Sequence, residues 1–307
     1  MRILVTGGAG FIGSHLVDLL LGDGHEVAVA DDLSSGRREN LPGVVPLHEV
    51  KVQQPVFDDL VGELRPEAVA HLAAQIDVRK SVADPLTDAE INVLGTLRVA
   101  SACARHGVGR IVLASTGGAI YGEQTEFPAP ESHTERPVSP YGVAKLCAEH
   151  YLRCLHLEGG ASWCATRLAN VYGPRQDPHG EAGVVAIFCG RLLGGEQAVI
   201  YGDGKQTRDY VYVGDVARAM REALLGDHVG AVNVGTGLET DVNELYAELA
   251  RACGLDRPAR HADARPGEQR RSVVDPTLAH ELWGWHPEVP LAEGLARTVE
   301  FFRGRES

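Results

Sequence analysis

The chain has 307 residues and a formal net charge of −13. This charge repels nucleic acids and anionic membrane surfaces, so it disfavours a function that depends on binding either of them by charge alone. It has no uninterrupted apolar run of the ~18 residues that a membrane-spanning helix needs, and its first residues do not resemble a secretory signal. Because its six cysteines are scattered without a CxxC pair, we expect buried free thiols and a cytoplasmic location.

The first elements have the order of a βαβ unit. An apolar strand at residues 3–6 precedes a glycine cluster, and residues 11–21 carry apolar side chains at helical spacing. The next strand, EVAVADD, ends in two carboxylates. Further predicted strands lie at 68–74, 110–116 and 161–173, and predicted helices lie at 87–106 and 141–158. This alternation predicts an α/β fold with a Rossmann-like, doubly wound parallel sheet.

The composition of the chain changes past Asn170. Glycine and proline become more frequent, and the predicted elements become shorter. We therefore predict a Rossmann domain over residues 1–170 and a smaller C-terminal α/β substrate lobe over residues 171–307, with some chain crossing between the two.

Gly7, Gly10 and Gly13 lie three residues apart between the first strand and the first helix. Glycine at these positions permits a tight turn, close approach of a pyrophosphate to the backbone, and close packing of the helix on the strand. Asp31 ends the next strand, where a carboxylate accepts hydrogen bonds from a ribose diol and repels a 2′-phosphate. The pattern predicts a dinucleotide site and favours NAD, although the arginines at 37–38 keep NADP open.

Tyr141 and Lys145 lie four residues apart at the start of a predicted helix, so they share one face. A tyrosine with a pKa of about 10 is a poor base at neutral pH. A nearby ammonium group and a positively charged nicotinamide favour its phenolate. Together with the upstream strand that ends in Ser115 and Thr116, the pattern predicts a catalytic site for acid–base chemistry beside a nicotinamide cofactor.

Segments along nearly the whole chain resemble the extended short-chain dehydrogenases/reductases, specifically the nucleotide-sugar epimerases and dehydratases. The matching segments are TGGAGFIGSHL, DDLSSG, HLAAQIDVRKSV, NVLGT, STGGAIYGE, SPYGVAK, RLANVYGPR, TRDYVYVGDVA, NVGTG and RPGE. The resemblance implies tightly bound NAD, a UDP-sugar substrate in the C-terminal lobe, and Tyr141 as acid and base beside Lys145.

The resemblance also implies the remaining site residues. Those expected at the cofactor are Gly7, Gly10, Phe11, Ile12, Gly13, Asp31, Asp32, Ser35, Gly36, Leu72, Ala73, Ala74, Asn92, Tyr141 and Lys145. Those expected at the substrate are Thr116, Asn170, Arg208, Arg265 and Glu268, with the two arginines on the diphosphate and the glutamate on the uridine ribose. No metal site is expected, because the thirteen histidines form no HxxxH pair.

Two positions depart from the pattern of the family. Relatives usually carry Ser or Thr four residues before the tyrosine of the YG pair, but here Gly117 lies four residues before Tyr121. Since this segment carries one extra glycine, we assign the catalytic hydroxyl to Thr116, with Ser115 as its neighbour. Lys51 lies where relatives commonly carry an aspartate that contacts adenine, so that contact is not predicted.

The resemblance implies 4-epimerisation of a UDP-hexose of the UDP-glucose/UDP-galactose type through a 4-keto intermediate. Dehydration is disfavoured, because Gly117 and Gly118 follow Thr116 where dehydratases carry an Asp-Glu pair. A UDP-glucuronate or UDP-N-acetylhexosamine 4-epimerase and a nucleotide-sugar 4-ketoreductase remain open. From a different class, a non-catalytic NAD-sensing protein also remains open, although such sensors tend to lose the tyrosine or the lysine.

The helices predicted at 87–106 and 141–158 match those through which relatives form a four-helix dimer interface. Each offers apolar residues beyond one face, which is expected of a helix with two partners. The resemblance therefore implies a homodimer. The apolar residues concerned are Leu94, Leu97, Val99, Leu146, Leu152 and Leu155.

Overall fold

The computed structural model describes residues 1–178, 183–264 and 269–306. Its strands are β1 (Arg2–Thr6), β2 (Glu26–Asp31), β3 (Leu47–Glu49), β4 (Ala68–His71), β5 (Arg110–Thr116), β6 (Ser162–Leu168), β7 (Asn170–Tyr172), β8 (Val199–Tyr201), β9 (Thr207–Arg208), β10 (Tyr210–Tyr212), β11 (Gly230–Val234), β12 (Thr240–Asp241), β13 (Arg260–Ala262) and β14 (Arg271–Ser272). Its α-helices are α1 (Phe11–Gly22), α2 (Val56–Leu64), α3 (Val78–Ala83), α4 (Pro85–Ala89), α5 (Gly95–His106), α6 (Gly117–Ile120), α7 (Pro140–Leu157), α8 (Val184–Leu193), α9 (Val213–Leu225), α10 (Val242–Ala252), α11 (Thr277–Trp283) and α12 (Leu291–Glu306). A 3-10 helix spans Arg38–Asn40, and a π-helical turn over Glu90–Leu94 joins α4 to α5.

Seven parallel strands form the main sheet in the order β11-β6-β5-β4-β1-β2-β3. Helices α1 and α9 cover one face, and α2, α5 and α7 cover the other. Strands buried on both faces are apolar along most of their length, as β1 and β5 are. The predicted Rossmann-like, doubly wound fold is confirmed. The strand order reverses between β1 and β4, the place where ligands bind in such folds.

A second layer of short strands and helices follows the main sheet. Its sheets pair β10 with β7, β8 with β13, and β9 with β12 and β14. Helices α8, α10 and α12 enclose its apolar core, which includes Phe188, Tyr246, Leu249 and Val299. Although β11 follows this layer's first elements in the chain, it pairs with β6 at the edge of the main sheet. The chain therefore crosses between the layers more than once.

The segment 161–173, predicted as one strand, is divided into β6 and β7 at Ala169. The amide of Ala169 donates to Val234 O on β11, whereas the amide of Asn170 donates to Asp209 O beside β10. The chain thus leaves the main sheet within one residue. The prediction of a single strand is wrong, because apolar character alone does not show which strand each half pairs with.

The outer surfaces of α5 and α7 also differ in part from the prediction. Val99 and Leu152 are only 1% and 2% exposed, because they pack in the core between these helices and the sheet. Exposed apolar side chains on α4, the π turn and α7 are Leu86, Leu94, Val143, Tyr151 and Leu157. All six cysteines have free thiols, but Cys154 is exposed, so the expectation of burial is wrong for that residue.

No helix in the three described ranges is long and apolar enough to cross a membrane.

Candidate active site

The turn between β1 and α1 leaves no room for side chains at two of its glycines. A Cβ on Gly7, whose φ is +70°, would lie 2.6 Å from the backbone nitrogen of Ala73. A Cβ on Gly13 would lie 2.3 Å from Gly7 O. Helix α1 begins at Phe11, and no side chain caps it, so its first N–H groups face the turn without a protein acceptor from a cap. This arrangement fits a pyrophosphate, which binds to exposed amides at a helix N-terminus.

Asp31 lies at the end of β2, beside this turn. Its buried carboxylate accepts hydrogen bonds from the amides of Ala9 and Leu33, each at 2.9 Å. Burial raises the pKa of this carboxyl, and the two amides oppose that effect. A Cβ on Gly36 would lie 2.7 Å from Asp31 Oδ1, so the loop after β2 passes directly over the carboxylate. Asp31 is therefore held at the edge of the turn, and its contact with the cofactor ribose stays a prediction.

The neighbours of Asp31 are oriented differently. Asp32 accepts hydrogen bonds from the amide and the hydroxyl of Ser34, at 3.0 and 2.5 Å, and Ser35 is exposed. Arg38, one of the two arginines that keep NADP open, donates to the carbonyl oxygens of Gly43 and Val45, each at 3.3 Å. Its guanidinium is thus bonded to the loop that follows it.

Asn92 fixes the loop after β4, which contains the predicted cofactor residues Leu72, Ala73 and Ala74. The Oδ1 atom of Asn92 accepts from the amide of Gln75 at 2.9 Å, and its Nδ2 donates to Gln75 O at 2.8 Å. Both Nδ2 of Asn92 and the amide of the Gln75 side chain donate to buried Asp88, at 3.0 and 2.8 Å. Asn92 therefore positions the loop that passes the strand switch point, and a direct contact to the cofactor stays a prediction.

His71, at the end of β4, connects this strand to β1 and α5. Its Nδ1 lies 2.8 Å from Thr6 Oγ1 and its Nε2 lies 3.1 Å from Thr96 Oγ1. Complete burial lowers the pKa of this imidazole to about 3, so the ring is neutral at any physiological pH. His71 was not predicted as a site residue, and its position in the HLAA segment is the only sequence signal for it.

Tyr141 and Lys145 lie on the first turns of α7, where the helix meets β5 and α3. Ser139 caps the helix by accepting from the amide of Gly142, and the amide of Tyr141 donates to Ser81 Oγ at 3.2 Å. The ammonium nitrogen of Lys145 lies 6.0 Å from the centroid of the Tyr141 ring. Burial lowers the pKa of Lys145 to about 8, although nearby carboxylates oppose the shift. The predicted pair is thus brought together with a lysine that is still cationic at neutral pH.

Ser115 and Thr116 are successive residues at the end of β5, so their side chains point to opposite faces of the sheet. Ser115 is buried and donates from Oγ to Glu149 Oε1 at 2.5 Å. Thr116 is half-buried and caps α6, with its hydroxyl accepting from the amide of Ala119 at 3.2 Å. The extra glycine lies in the first turn of α6, at Gly117, where a Cβ would lie 2.6 Å from Val274 Cγ1.

Of the substrate residues predicted besides Thr116, the structure describes two, and both lie in the second layer. Asn170 is exposed at the start of β7, and Arg208 is half-buried on β9, where its Nη1 donates to Thr207 O at 2.8 Å. Arg265 and Glu268 lie outside the described residues. Phe11 and Ile12 are half-buried at the start of α1.

Three buried charged residues were not predicted from the sequence: Asp88 and Glu149, which act on Lys145, and Arg167, which pairs with Glu149. A signal exists for two of them, since Asp88 lies one helical turn before Asn92 and Glu149 one turn after Lys145. Within the described ranges, no group of three or more histidine, cysteine, aspartate or glutamate side chains could bind a metal ion.

The chain is similar to known proteins over nearly its whole length. The model of the NAD dependent epimerase/dehydratase family matches residues 3–235. The chain belongs to this family. The UDP-glucose 4-epimerase of Mycolicibacterium smegmatis is 49% identical over 314 aligned residues, which cover 99% of each chain. The predicted family is therefore confirmed.

Two solved structures show how closely the fold agrees within the NAD dependent epimerase/dehydratase family. The UDP-glucose 4-epimerase of Thermotoga maritima with UDP-glucose has a TM-score of 0.98 and 47% identity, covering 100% of both chains. The UDP-glucose 4-epimerase of Thermus thermophilus in complex with NAD has a TM-score of 0.94 and 48% identity, covering 99% of both. The predicted cofactor, NAD, is confirmed for the family, and the predicted epimerase activity agrees with all three relatives.

Proposed function

We propose that this protein is a 4-epimerase for a UDP-hexose of the UDP-glucose/UDP-galactose type, acting with bound NAD as a cytoplasmic homodimer. The observation that carries the proposal is the position of Tyr141 and Lys145 beside the end of β5, with Thr116 on that strand end. This site lies near the switch point of a sheet that has the glycine turn and Asp31 in place. Similarity over the full chain to UDP-glucose 4-epimerases supports the choice of substrate.

The cofactor site fits NAD. The cramped turn at Gly7 and Gly13 and the uncapped start of α1 suit the pyrophosphate, and Asp31 suits a ribose diol. Lys145 would bind the nicotinamide ribose, and the loop fixed by Asn92 would lie along the pyrophosphate. When bound, NAD supplies a reversible acceptor for the hydride of sugar C4.

The protein's own residues move the proton that accompanies this oxidation. Tyr141, as phenolate, accepts the proton of the C4 hydroxyl, and the ammonium of Lys145 stabilises that phenolate. Thr116 donates a hydrogen bond to O4, and Ser115 supports the strand end from the other face. After the 4-keto sugar has rotated to present its opposite face, Tyr141 returns the proton to O4, and the hydride held by the cofactor would add back to C4 on that face.

The second layer binds the nucleotide. In a chain with a net charge of −13, a diphosphate needs local cations, and we assign this role to Arg208 and Arg265. Asn170 reaches the phosphate or the sugar, and Glu268 accepts from the uridine ribose. Where Asn170 reaches the sugar, it also influences which hexose is bound.

The homodimer is proposed to form through α4, α5 and α7. Exposed apolar side chains include Leu86 on α4, Leu94 on the π turn that leads into α5, and Val143 and Tyr151 on α7. Exposed apolar side chains on helices that pack together, as α4 and α7 do, suit contact with a second copy across a two-fold axis. This agrees with the interface implied by the resemblance, with Leu86, Val143 and Tyr151 taking the place of Val99 and Leu152.

Incubation of the purified protein with a panel of UDP-hexoses, followed by chromatographic separation of the C4 epimers, tests the function. UDP-glucose should give UDP-galactose, with transient NADH absorbance and no added cofactor. The Tyr141→Phe variant should bind NAD and convert no sugar. No epimer from any UDP-hexose, or a requirement for NADP, would overturn the proposal. NAD binding with neither epimer nor NADH would point to a sensor.

A further inference from the structure

A group of buried charged side chains lies behind the end of β5 and has no part in the chemistry described above. Its centre is Glu149 on α7, whose Oε1 accepts from Ser115 Oγ at 2.5 Å. Arg167 on β6 donates to both carboxylate oxygens from Nε at 3.2 Å and to Oε2 from Nη2 at 2.7 Å. The side chains of Glu149 and Arg167 are each 4% exposed. Water therefore solvates neither charge well, and each side chain depends on the other to compensate its charge.

Arg167 extends the group to two further parts of the chain. Its Nη1 donates to the hydroxyl of Tyr121 at 3.1 Å, and that hydroxyl donates to Asn233 Oδ1 on β11 at 2.8 Å. Its Nη2 also pairs with Glu135, which is more exposed than Glu149. Side-chain hydrogen bonds thus connect β5, β6, β11 and α7 independently of the backbone bonds of the sheet.

The bond between Ser115 and Glu149 joins the two elements that carry the proposed catalytic side chains. Ser115 is adjacent to Thr116 on β5, and Glu149 lies one turn after Lys145 on α7. A displacement of about 1 Å between such elements can cost about 100-fold in rate. We propose that Glu149 is a positioning residue, which fixes the end of β5 against α7 through Ser115 while Arg167 orients its carboxylate.

The inference rests on the function proposed above, since that function assigns Thr116 and Lys145 their roles. It also has an electrostatic consequence. Lys145 is faced by His71 from β4, by Asp88 from α4, and by Glu149 and Tyr141 from its own helix. The two carboxylates raise the pKa of Lys145 against the effect of burial, whereas His71 is neutral. Glu149 therefore favours the ammonium form that the phenolate of Tyr141 requires.

Three variants separate position from charge. Glu149→Gln keeps the shape of the side chain but removes its charge and weakens its bond to Arg167. Ser115→Ala removes the link to β5 but leaves the charged pair intact. Glu135→Gln is the matched control, because Glu135 also pairs with Arg167 but has no hydrogen bond to Ser115 and does not act on Lys145.

The first measurement is kinetic. Turnover of the holoenzyme should fall about 100-fold in Glu149→Gln and about 10-fold in Ser115→Ala, with little change in KM, and should be unchanged in Glu135→Gln. A merely structural role would lower the melting temperature but leave the turnover of the folded fraction unchanged. If Glu149→Gln does not fold, Ser115→Ala decides the question.

The second measurement needs no substrate. The chain has four lysines, Lys51, Lys80, Lys145 and Lys205, so isotope-labelled lysine gives four side-chain NMR signals. The signal that is lost in Lys145→Arg belongs to Lys145. The titration midpoint of Lys145 should move to lower pH in Glu149→Gln and should not move in Ser115→Ala or Glu135→Gln. Wild-type turnover in Glu149→Gln and Ser115→Ala together would overturn the inference. If the wild-type protein converts no UDP-hexose, the proposed function fails, while the Lys145 titration still shows whether Glu149 acts on Lys145.

Discussion

The ammonium nitrogen of Lys145 donates a hydrogen bond to the carbonyl oxygen of Ala114 at 3.0 Å. Ala114 lies on β5 two residues before Thr116, so this bond holds the lysine beside the end of the strand. Burial lowers the pKa of the lysine to about 8, whereas the carboxylates of Asp88 and Glu149 favour its charged form, to which the carbonyl adds a hydrogen-bond acceptor.

The first prediction concerns the alkaline limb of the reaction. If Lys145 must be cationic to stabilise the phenolate of Tyr141, turnover should fall as the pH rises through about 8. The pKa of Lys145 is lower in the folded protein than its ordinary value of 10.5. The unfolded chain therefore binds this proton more strongly between these values, and this group's contribution to stability rises with pH there. The loss of turnover should be reversible, which pH-jump assays can show.

Asp88→Asn provides a check on this limb. It removes one of the two carboxylates that raise the pKa of Lys145, so the midpoint should move to lower pH. An alkaline limb that is identical in Asp88→Asn and the wild type would contradict the assignment to Lys145.

The second prediction concerns the two hydroxyls at the end of β5. Thr116→Val removes a donor to O4 at nearly constant volume, a loss of roughly 2.7–4 kcal/mol, so turnover should fall about 100- to 1000-fold with NAD still bound. Ser115→Ala should have the smaller effect, because Ser115 points to the other face and bonds to Glu149. Steady-state kinetics of both variants measure the ranking. The opposite ranking would show that Gly117, and not Thr116, occupies the position of the family's hydroxyl residue.

The third prediction concerns the glycine turn. Gly13→Ala places a methyl group 2.3 Å from Gly7 O, so the turn must open and NAD affinity should fall at least about 10-fold. Gly22→Ala, in the last residue of the same helix, meets no atom within 4 Å. It should leave NAD affinity unchanged. Calorimetric titration of the apoproteins with NAD compares the two, and equal affinities would contradict the cramped geometry.

The fourth prediction concerns the diphosphate. Arg208→Ala removes a charge-assisted contact worth roughly 1.5–3 kcal/mol, so the affinity for UDP-sugar should fall about 10- to 150-fold while NAD binding persists. Arg270→Ala is the matched control, because Arg270 is exposed and pairs with Asp203. UDP affinity measured by calorimetry should be unchanged in the control. An unchanged affinity in Arg208→Ala would remove Arg208 from the substrate site.

The fifth prediction concerns assembly. Val143→Glu places a charge on the exposed surface of α7 and should convert the proposed dimer to a monomer, as measured by light scattering at micromolar concentration. Leu238→Glu introduces the same charge at an exposed site outside that surface and should leave the dimer intact. A monomeric wild-type protein would overturn the proposal.

Local sequence patterns predicted much of this molecule. The β1–turn–α1 unit, the carboxylate of Asp31 at the end of β2 and the pairing of Tyr141 with Lys145 each depend on residues that are close together in the sequence. Glycine spacing and helical periodicity encode such relationships directly. The predicted sheet was therefore correct in class and in the approximate position of most of its strands.

Relationships between distant segments could not be predicted in this way. The division of the chain at Ala169 depends on a bond to Val234, and the orientation of Glu149 depends on Arg167 from another strand. Asn92 illustrates the same limit, since its side-chain amide bonds to the backbone of Gln75, a contact that the sequence pattern does not show. Periodicity shows that a residue is on a buried face but not which partner it meets there.

The late position of β11 in the chain has a consequence for synthesis. The first six strands of the main sheet end at Leu168, but the seventh, β11, ends at Val234. Strands β7 to β10 and helices α8 and α9 lie between them in the chain. While the ribosome adds the residues between them, the edge of β6 has no partner strand, and the sheet face that α9 later covers is exposed. Unpaired edges and exposed apolar faces promote aggregation. We therefore expect the nascent chain to depend on chaperones until β11 has emerged, and a slower stretch of translation before Gly230 to lower the yield of soluble protein.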